Sequence, residues 1–301
     1  MFSARKSSAL RASSKVRTGS PAFSAPSPCP CLPTAFDRDR PIGVFDSGVG
    51  GLTVVSALRE RLPNESIVYF GDTARVPYGS KSPANVRRFS REAAQFLLSR
   101  DAKLIVVACN TATAHAADAL SKELTVPVIG VIEPGATAAV AATRTGRIGV
   151  LGTAGTIASG AYDLAVRRRL GEKGRVYAQP CPLFVPLVEE GWTEHEVTAS
   201  VAREYLRPLQ EVDVDVVILG CTHYPLLRPV LQSIMGDGVR LVDSAEETAR
   251  AVEGTLVSID LERAARTPPD YSFFVSDSPH KFRDVGRRFV GDLIGQVAHV
   301  D

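Results

Sequence analysis

From Pro41 onward the chain alternates two hydrophobic patterns. One consists of short, nearly unbroken apolar runs rich in Val and Ile, at residues 42–46, 66–71, 104–108, 126–131, 147–152, 175–178, 214–220 and 239–242. Runs of this length with few polar interruptions predict strands buried on both faces, as in a parallel sheet. The other pattern repeats every three or four residues. Ser82 with Pro83 predicts a helix start, after which Val86, Phe89, Ala93, Phe96 and Leu97 share one face. Thr193 with Glu196 and Ser244 with Glu247 match the capping-box spacing and predict two more starts. Strand and helix patterns in alternation predict a doubly wound α/β architecture.

The pattern also repeats within the chain. The run Ile42-Gly43-Val44-Phe45-Asp46-Ser47-Gly48 returns 106 residues later as Ile148-Gly149-Val150-Leu151-Gly152-Thr153. Ile105-Val106-Val107-Ala108-Cys109-Asn110-Thr111 returns after 112 residues as Val217-Ile218-Leu219-Gly220-Cys221-Thr222-His223. Two echoes at nearly equal offsets predict two similar α/β units facing each other. The expected division is 41–134 plus 244–301 for one unit and 135–243 for the other. Ligands of such sheets sit beyond the carboxyl ends of the strands, where every polar motif discussed below falls.

Residues 1–40 stand apart, with eight Ser, five Pro, seven basic residues, two acids and no apolar period. A segment of this kind buries too little to offset its ordering entropy, and a disordered extension is expected. It is basic, Ser-rich and acid-poor like a transit presequence, and it lacks the apolar core of a secretory signal. Its composition also alters the charge balance. The chain as a whole carries 35 basic and 33 acidic residues. Without the tail, 28 basic face 31 acidic, so the folded part is mildly acidic and offers no basic footprint for nucleic acid. No apolar stretch is long enough to span a membrane. Five cysteines, two of them (Cys29 and Cys31) in the tail, argue against a disulfide scaffold and predict cytosolic thiols. No metal site is expected.

Two of the remaining three cysteines carry the candidate chemistry. Cys109 and Cys221 each end an apolar strand and precede small hydroxyl-bearing residues. At a strand-to-helix turn, unpaired amides and the helix dipole are expected to favour thiolate, making each a candidate base. Cys181, between two prolines, reads as a buried hydrophobe. Asp46-Ser47-Gly48-Val49-Gly50-Gly51 places a carboxylate, a hydroxyl and close-approach glycines ahead of a helix from Leu52; its spacing fits neither a dinucleotide fingerprint nor a P-loop. Tyr78 and Gly79 lie in a loop able to close over a small ligand. His223, two residues from Cys221, is placed to orient or deprotonate that thiol. Two thiols facing one carbon, about 7 Å apart, suit removal of a proton from one face and delivery to the other. Ser47, Asn110, Thr111 and Thr222 are the donors available to stabilise the carbanionic transition state.

Four motifs carry a resemblance. They are Phe45-Asp46-Ser47-Gly48-Val49-Gly50-Gly51-Leu52-Thr53, Phe70-Gly71-Asp72-Thr73-Ala74-Arg75-Val76-Pro77-Tyr78-Gly79, Ala108-Cys109-Asn110-Thr111-Ala112 and Gly220-Cys221-Thr222-His223-Tyr224-Pro225. In order and spacing, from Pro41 to the C-terminal region, they resemble the bacterial glutamate racemases of the cofactor-independent aspartate/glutamate racemase superfamily. The resemblance implies two α/β domains related by a pseudo-twofold axis, with the active site between them. It implies interconversion of L- and D-glutamate for peptidoglycan and cell-wall synthesis, without a cofactor, in the cytoplasm and as a homodimer. It makes Cys109 and Cys221 the catalytic thiols, with Asp46 assisting the first and His223 the second. It places substrate against Asp46, Ser47, Tyr78, Gly79, Asn110, Thr111, Thr222 and His223. An assisting glutamate near Cys221 is also implied, with Glu189 the choice and Glu190 its adjacent alternative. Racemisation of aspartate, a hydrolase using Cys221 with His223 alone, and a non-catalytic dicarboxylate binder are the rival readings. The matched pair of thiols is a feature the last two do not need.

Overall fold

The computed structural model describes residues 35–264 and 267–300, so most of the Ser- and Pro-rich tail, with Cys29 and Cys31, lies outside the described residues. Among the described residues ten strands follow in chain order: β1 (Ile42–Asp46), β2 (Ile67–Gly71), β3 (Leu104–Val107), β4 (Val128–Gly130), β5 (Arg147–Gly152), β6 (Arg175–Pro180), β7 (Val216–Gly220), β8 (Arg240–Asp243), β9 (Tyr271–Val275) and β10 (Val297–His299). They make two sheets, ordered β10-β9-β2-β1-β3-β4 and β6-β5-β7-β8. All pairings among them are parallel. Both sheets lie within the unit Pro33–Asp301.

The strand order 2-1-3-4 of the first sheet recurs as 6-5-7-8 in the second, so the echoed runs occupy equivalent strands, β1 with β5 and β3 with β7. The unbroken apolar character of these strands has a direct cause. Along β1 and β3, Ile42, Val44, Leu104 and Val106 enter one core, while Phe45, Ile105 and Val107 enter another on the opposite face. The second sheet divides in the same way, with Leu151, Val217 and Leu219 on one face and Ile148, Val150, Val216 and Ile218 on the other. Helices cover both faces, so neither side of these strands meets water.

The eight expected strands all form, and two more were not foreseen. β9 is only half-buried along much of its length, and β10 is a three-residue edge strand, so neither presents the continuous apolar run that marked the others. Together they extend the first sheet beyond β2. Ser82 caps the helix Pro83–Leu98 as expected, its Oγ accepting from Asn85 N–H at 3.4 Å. The other two caps fall elsewhere. His195, stacked on Trp192, caps the helix Glu196–Glu211 in place of Thr193, with Nδ1 accepting from Val197 N–H at 3.1 Å. Asp243 caps the helix Ser244–Ser258, its Oδ1 taking the Ala245 N–H at 2.8 Å, while Ser244 Oγ donates to the Leu219 carbonyl.

Residues 35–40, counted with the disordered tail from composition, are instead ordered: a short helix runs over Ala35–Asp39. The cause is a buried ion pair. Lys103 Nζ sits 2.6 Å from Glu65 Oε2, and its remaining protons go to the carbonyls of Arg38 (2.7 Å) and Leu261 (2.8 Å). A buried ammonium needs such acceptors, and the chain ahead of β1 supplies one. Among the described residues no helix is long and apolar enough to cross a membrane.

Candidate active site

The carboxyl ends of β1, β3, β5 and β7 converge on one cavity of about 50 Å³. Its walls include Ser47, Tyr78, Gly79, Cys109, Asn110 and Thr111 from the first unit. Thr153, Glu189, Cys221, Thr222 and His223 come from the second. That volume is far below the roughly 300 Å³ at which drug-sized pockets begin, so the space suits a small ligand held closely.

Backbone proximity closes the two walls together. A methyl group at Gly50 would sit 2.3 Å from Thr222 Oγ1 and 2.4 Å from His223 Nδ1. At Gly79 it would sit 2.7 Å from Thr153 Cβ. Neither position admits a side chain, which is why the loops after β1 and β2 carry glycine where they meet the second unit. Hydroxyls complete the seam. Thr53 Oγ1 donates to the Thr222 carbonyl at 3.0 Å, and Thr111, Thr153 and Thr156 form a triangle of hydroxyl contacts at 2.9, 3.0 and 3.1 Å.

Cys109 follows β3 as the N-cap of a short helical turn, its Sγ accepting from Ala112 N–H at 3.4 Å. Taken alone, the strand-to-helix turn favours thiolate. Burial overrides it: desolvation first, then the Asp46 carboxylate, push the thiol up to about 12 despite the Ala112 and Thr111 amides and the Ser47 hydroxyl. Cys221 is pushed up too, again chiefly by burial, with the His223 amide opposing. Burial thus favours the neutral thiol at both sulfurs.

The surroundings of the two thiols differ. On the Cys109 side, Asp46 is fully buried at the end of β1, with Oδ2 accepting from Gly48 N–H at 2.9 Å. Burial raises its carboxyl above the ordinary range even though His223 and the amides of Gly48, Gly51 and Ser47 pull it down. On the Cys221 side, His223 Nδ1 lies 3.8 Å from Cys221 Sγ and Nε2 lies 3.0 Å from Glu189 Oε1. In the tautomer that carries its proton on Nε2, His223 donates to the carboxylate and turns a bare Nδ1 toward the thiol. Burial pushes Glu189 up, but the hydrogen bond from His223, the charge of His223 and that of Lys281 outweigh it, and the carboxyl lies below its usual range. Glu190 faces an apolar groove with Leu183, Pro186 and Trp192, and of the two carboxylates it is Glu189 that meets His223.

Of the expected site residues all but Asp46, which is buried and is not among the cavity-lining residues, meet here, and Tyr78 does so with its hydroxyl turned away. Tyr78 is 1% exposed and its hydroxyl donates to Asp72, which is also held by Arg75 and Ser276. Its hydroxyl is therefore committed away from a ligand, although Tyr78 lines the cavity. Thr153 was missed. The repeat held the signal, because the 106-residue offset that aligns Ile42 with Ile148 also aligns Ser47 with Thr153. Tyr162 was missed as well; its hydroxyl donates to Asn110 Oδ1 at 2.7 Å. Among the described residues no cluster of His, Cys, Asp and Glu has the disposition of a metal site.

Comparison with known proteins settles the family. Residues 52–252 match the model of the Asp/Glu/hydantoin racemases. The glutamate racemase of Geobacter metallireducens is 54% identical over 261 residues, covering 87% of this chain and 96% of its own. The chain belongs to the glutamate racemase family. The solved glutamate racemase isoform RacE1 from Bacillus anthracis superposes with a TM-score of 0.84 at 41% identity, over 88% of this chain and 98% of its own. The Francisella tularensis glutamate racemase, solved in complex with D-glutamate, has a TM-score of 0.82 at 38% identity, with the same coverage.

Proposed function

We propose that Cys109 and Cys221 carry out the glutamate racemisation of this family as opposed proton-transfer groups, one on each face of the substrate Cα. The observation that carries this reading is the opening of two thiols, from equivalent strand ends of a repeated unit, into one small cavity. In one direction Asp46 takes the Cys109 proton, and the thiolate removes the Cα proton. The Cys221 S–H then delivers its proton to the opposite face, and configuration inverts. In the other direction the roles exchange, with His223 Nδ1 as the acceptor for the Cys221 proton and Glu189 stabilising the imidazolium. Because each sulfur is costly to ionise in this site, its deprotonation coincides with arrival of the substrate ammonium, whose charge offsets the new thiolate. The side chains and amides around Ser47, Gly79, Asn110, Thr111 and Thr222 hold the carboxylates and the developing carbanion.

In this reading D-glutamate feeds peptidoglycan synthesis in the cytoplasm, and the chain works as a homodimer, which sedimentation analysis tests. The deciding experiment for the chemistry uses Cys109→Ser and Cys221→Ser in deuterated water with each enantiomer of glutamate. Each variant is expected to lose racemisation and to lose α-proton exchange from one enantiomer, a different one in each case. Full turnover in either variant refutes the two-thiol assignment, and preferential turnover of aspartate by the wild type refutes the substrate.

A further inference from the structure

The Asn110 side chain is 3% exposed, and its two ends are treated differently. Its Oδ1 accepts from the Tyr162 hydroxyl at 2.7 Å, whereas Nδ2 is buried with no hydrogen-bond partner, in a residue that lines the cavity between the thiols. A buried amide donor left unpaired costs about 1–3 kcal/mol, and its retention calls for an explanation. Tyr162, also 3% exposed, sits in the helix Ala161–Leu170 of the second unit, while Asn110 follows Cys109 in the first. The phenol reaches across because Gly220 leaves room for it: a methyl group there would meet Tyr162 Cε2 at 3.1 Å. Tyr162 thus packs beside the residue preceding Cys221 and bonds the residue following Cys109. The phenol oxygen also faces the Ser244 hydroxyl, which donates to the Leu219 carbonyl at 3.3 Å, while the phenol proton goes to Asn110 Oδ1.

We infer that Tyr162 is a positioning residue that fixes the rotamer of the Asn110 amide, so that Nδ2 presents a donor to a carboxylate oxygen of the bound amino acid. An asparagine amide can be turned end for end at little steric cost, and the two orientations offer opposite chemistry to the ligand. With Tyr162 donating to Oδ1, the cavity meets an N–H suited to an anionic oxygen. With the amide reversed, it would meet a carbonyl suited to an ammonium. The inference rests on the racemase reading above and adds to it a residue of the second unit that acts through a residue of the first.

The test is a double-mutant cycle read in KM and kcat for both enantiomers of glutamate, with thermal melting of each variant as a control. Tyr162→Phe keeps the ring and removes the donor; it is expected to raise KM about tenfold while kcat falls less than about threefold. In an Asn110→Ala background the same change is expected to add less than about twofold, because its effect passes through the amide. An equal loss in both backgrounds, or an unchanged KM in Tyr162→Phe, overturns the inference. Asn110→Asp supplies a second arm that leaves Tyr162 intact. It retains the acceptor for the phenol and replaces the donor by a negative oxygen, so KM is expected to rise at least tenfold, roughly the cost of removing a hydrogen bond to a charged group. An unchanged or lower KM means that an oxygen faces the ligand, and it overturns the assignment. Wild-type turnover of glutamate, and its loss in the two cysteine variants, report separately on the racemase reading.

Discussion

The two thiols occupy equivalent places in repeated sheets, yet their surroundings are not copies. Cys109 has the Ser47 hydroxyl beside it and feels the charge of the buried Asp46 carboxylate, which does not itself line the cavity. Cys221 is paired with an imidazole that is itself backed by Glu189 and packed edge-on against Phe289. The repeat fixes where the sulfurs stand, and the loops decide which polar groups stand beside them. The solutions carry different electrostatic consequences. An ionised Asp46 makes thiolate formation at Cys109 harder, so in the proposed mechanism the carboxylate serves only by receiving the proton and becoming neutral. On the Cys221 side an imidazolium at His223 would stabilise the thiolate beside it.

The largest expected effects separate these two acceptors. Asp46→Asn and His223→Asn are each expected to lower kcat by about 10²–10³, within the range of a lost general base. Enantiomers have equal free energy in water, so kcat/KM must remain equal in both directions for every variant. The asymmetry therefore has to be sought in isotope effects. With α-deuterated substrates, Asp46→Asn is expected to raise the primary effect for the enantiomer deprotonated by Cys109, and His223→Asn for the other. A rise for the same enantiomer in both variants would break the division of labour. Asp46→Asn is also expected to melt higher at neutral pH. A carboxyl raised by burial favours folding while protonated and loses that contribution as pH rises through its folded value. A melting point of Asp46→Asn below that of the wild type at pH 7 would contradict this.

Thiol reactivity sharpens the contrast further. Alkylation of Cys109 by iodoacetamide is expected to be slow at neutral pH and to accelerate toward about 12, with the acceleration shifting to lower pH in Asp46→Asn, where the opposing charge is gone. Peptide mapping by mass spectrometry distinguishes the three described cysteines. Rapid labelling of Cys109 at pH 7 in the ligand-free protein would show that burial does not dominate.

Glu189 should matter less than the groups it supports. Glu189→Gln is expected to cost about tenfold in kcat, or ~1.4 kcal/mol, and Glu190→Gln close to nothing. The lowered carboxyl of Glu189 contributes stability that is present above the ordinary carboxylate range and lost as pH falls through its folded value. Wild-type melting temperature should therefore drop more steeply than that of Glu189→Gln on acidification below roughly pH 4. Parallel slopes would remove Glu189 from the relay.

Much of this arrangement was legible before the fold. The central strands are buried on both faces and declare themselves as unbroken apolar runs, and the thiols terminate two of them at a repeat offset. What escaped depends on contacts across the cleft. Tyr162 and Phe289 look like ordinary core aromatics in the sequence, because their value comes from partners 52 residues away at Asn110 and far upstream at His223. The thiolate expectation failed for a related reason. Helix dipole and amides are local and could be read from the turn, whereas complete burial is set by two units closing on each other. The expected tail was drawn six residues too long because composition does not reveal that Lys103 needs the Arg38 carbonyl.

The smallest effect tests whether the Cys221 side extends beyond its polar residues. Phe289, in the helix Pro279–Val290, places its ring 5.6 Å from that of His223 at an interplanar angle of 87°, and its neighbour Arg288 donates to the Glu189 carbonyl. Phe289 also packs partly buried against a core of each unit, so it couples the last helix to the imidazole. Edge-to-face pairs contribute about 0.5–1.5 kcal/mol beyond area burial, and Phe289→Leu keeps most of the apolar volume while removing that orientation. We expect kcat to fall about two- to tenfold, with the isotope effect rising for the same enantiomer as in His223→Asn. Ser47→Ala, which removes a hydroxyl beside Cys109, should produce a loss of similar size for the opposite enantiomer. If Phe289→Leu lowers the melting temperature but leaves both isotope effects at their wild-type values, the ring is packing alone. The Cys221 side would then end at Glu189.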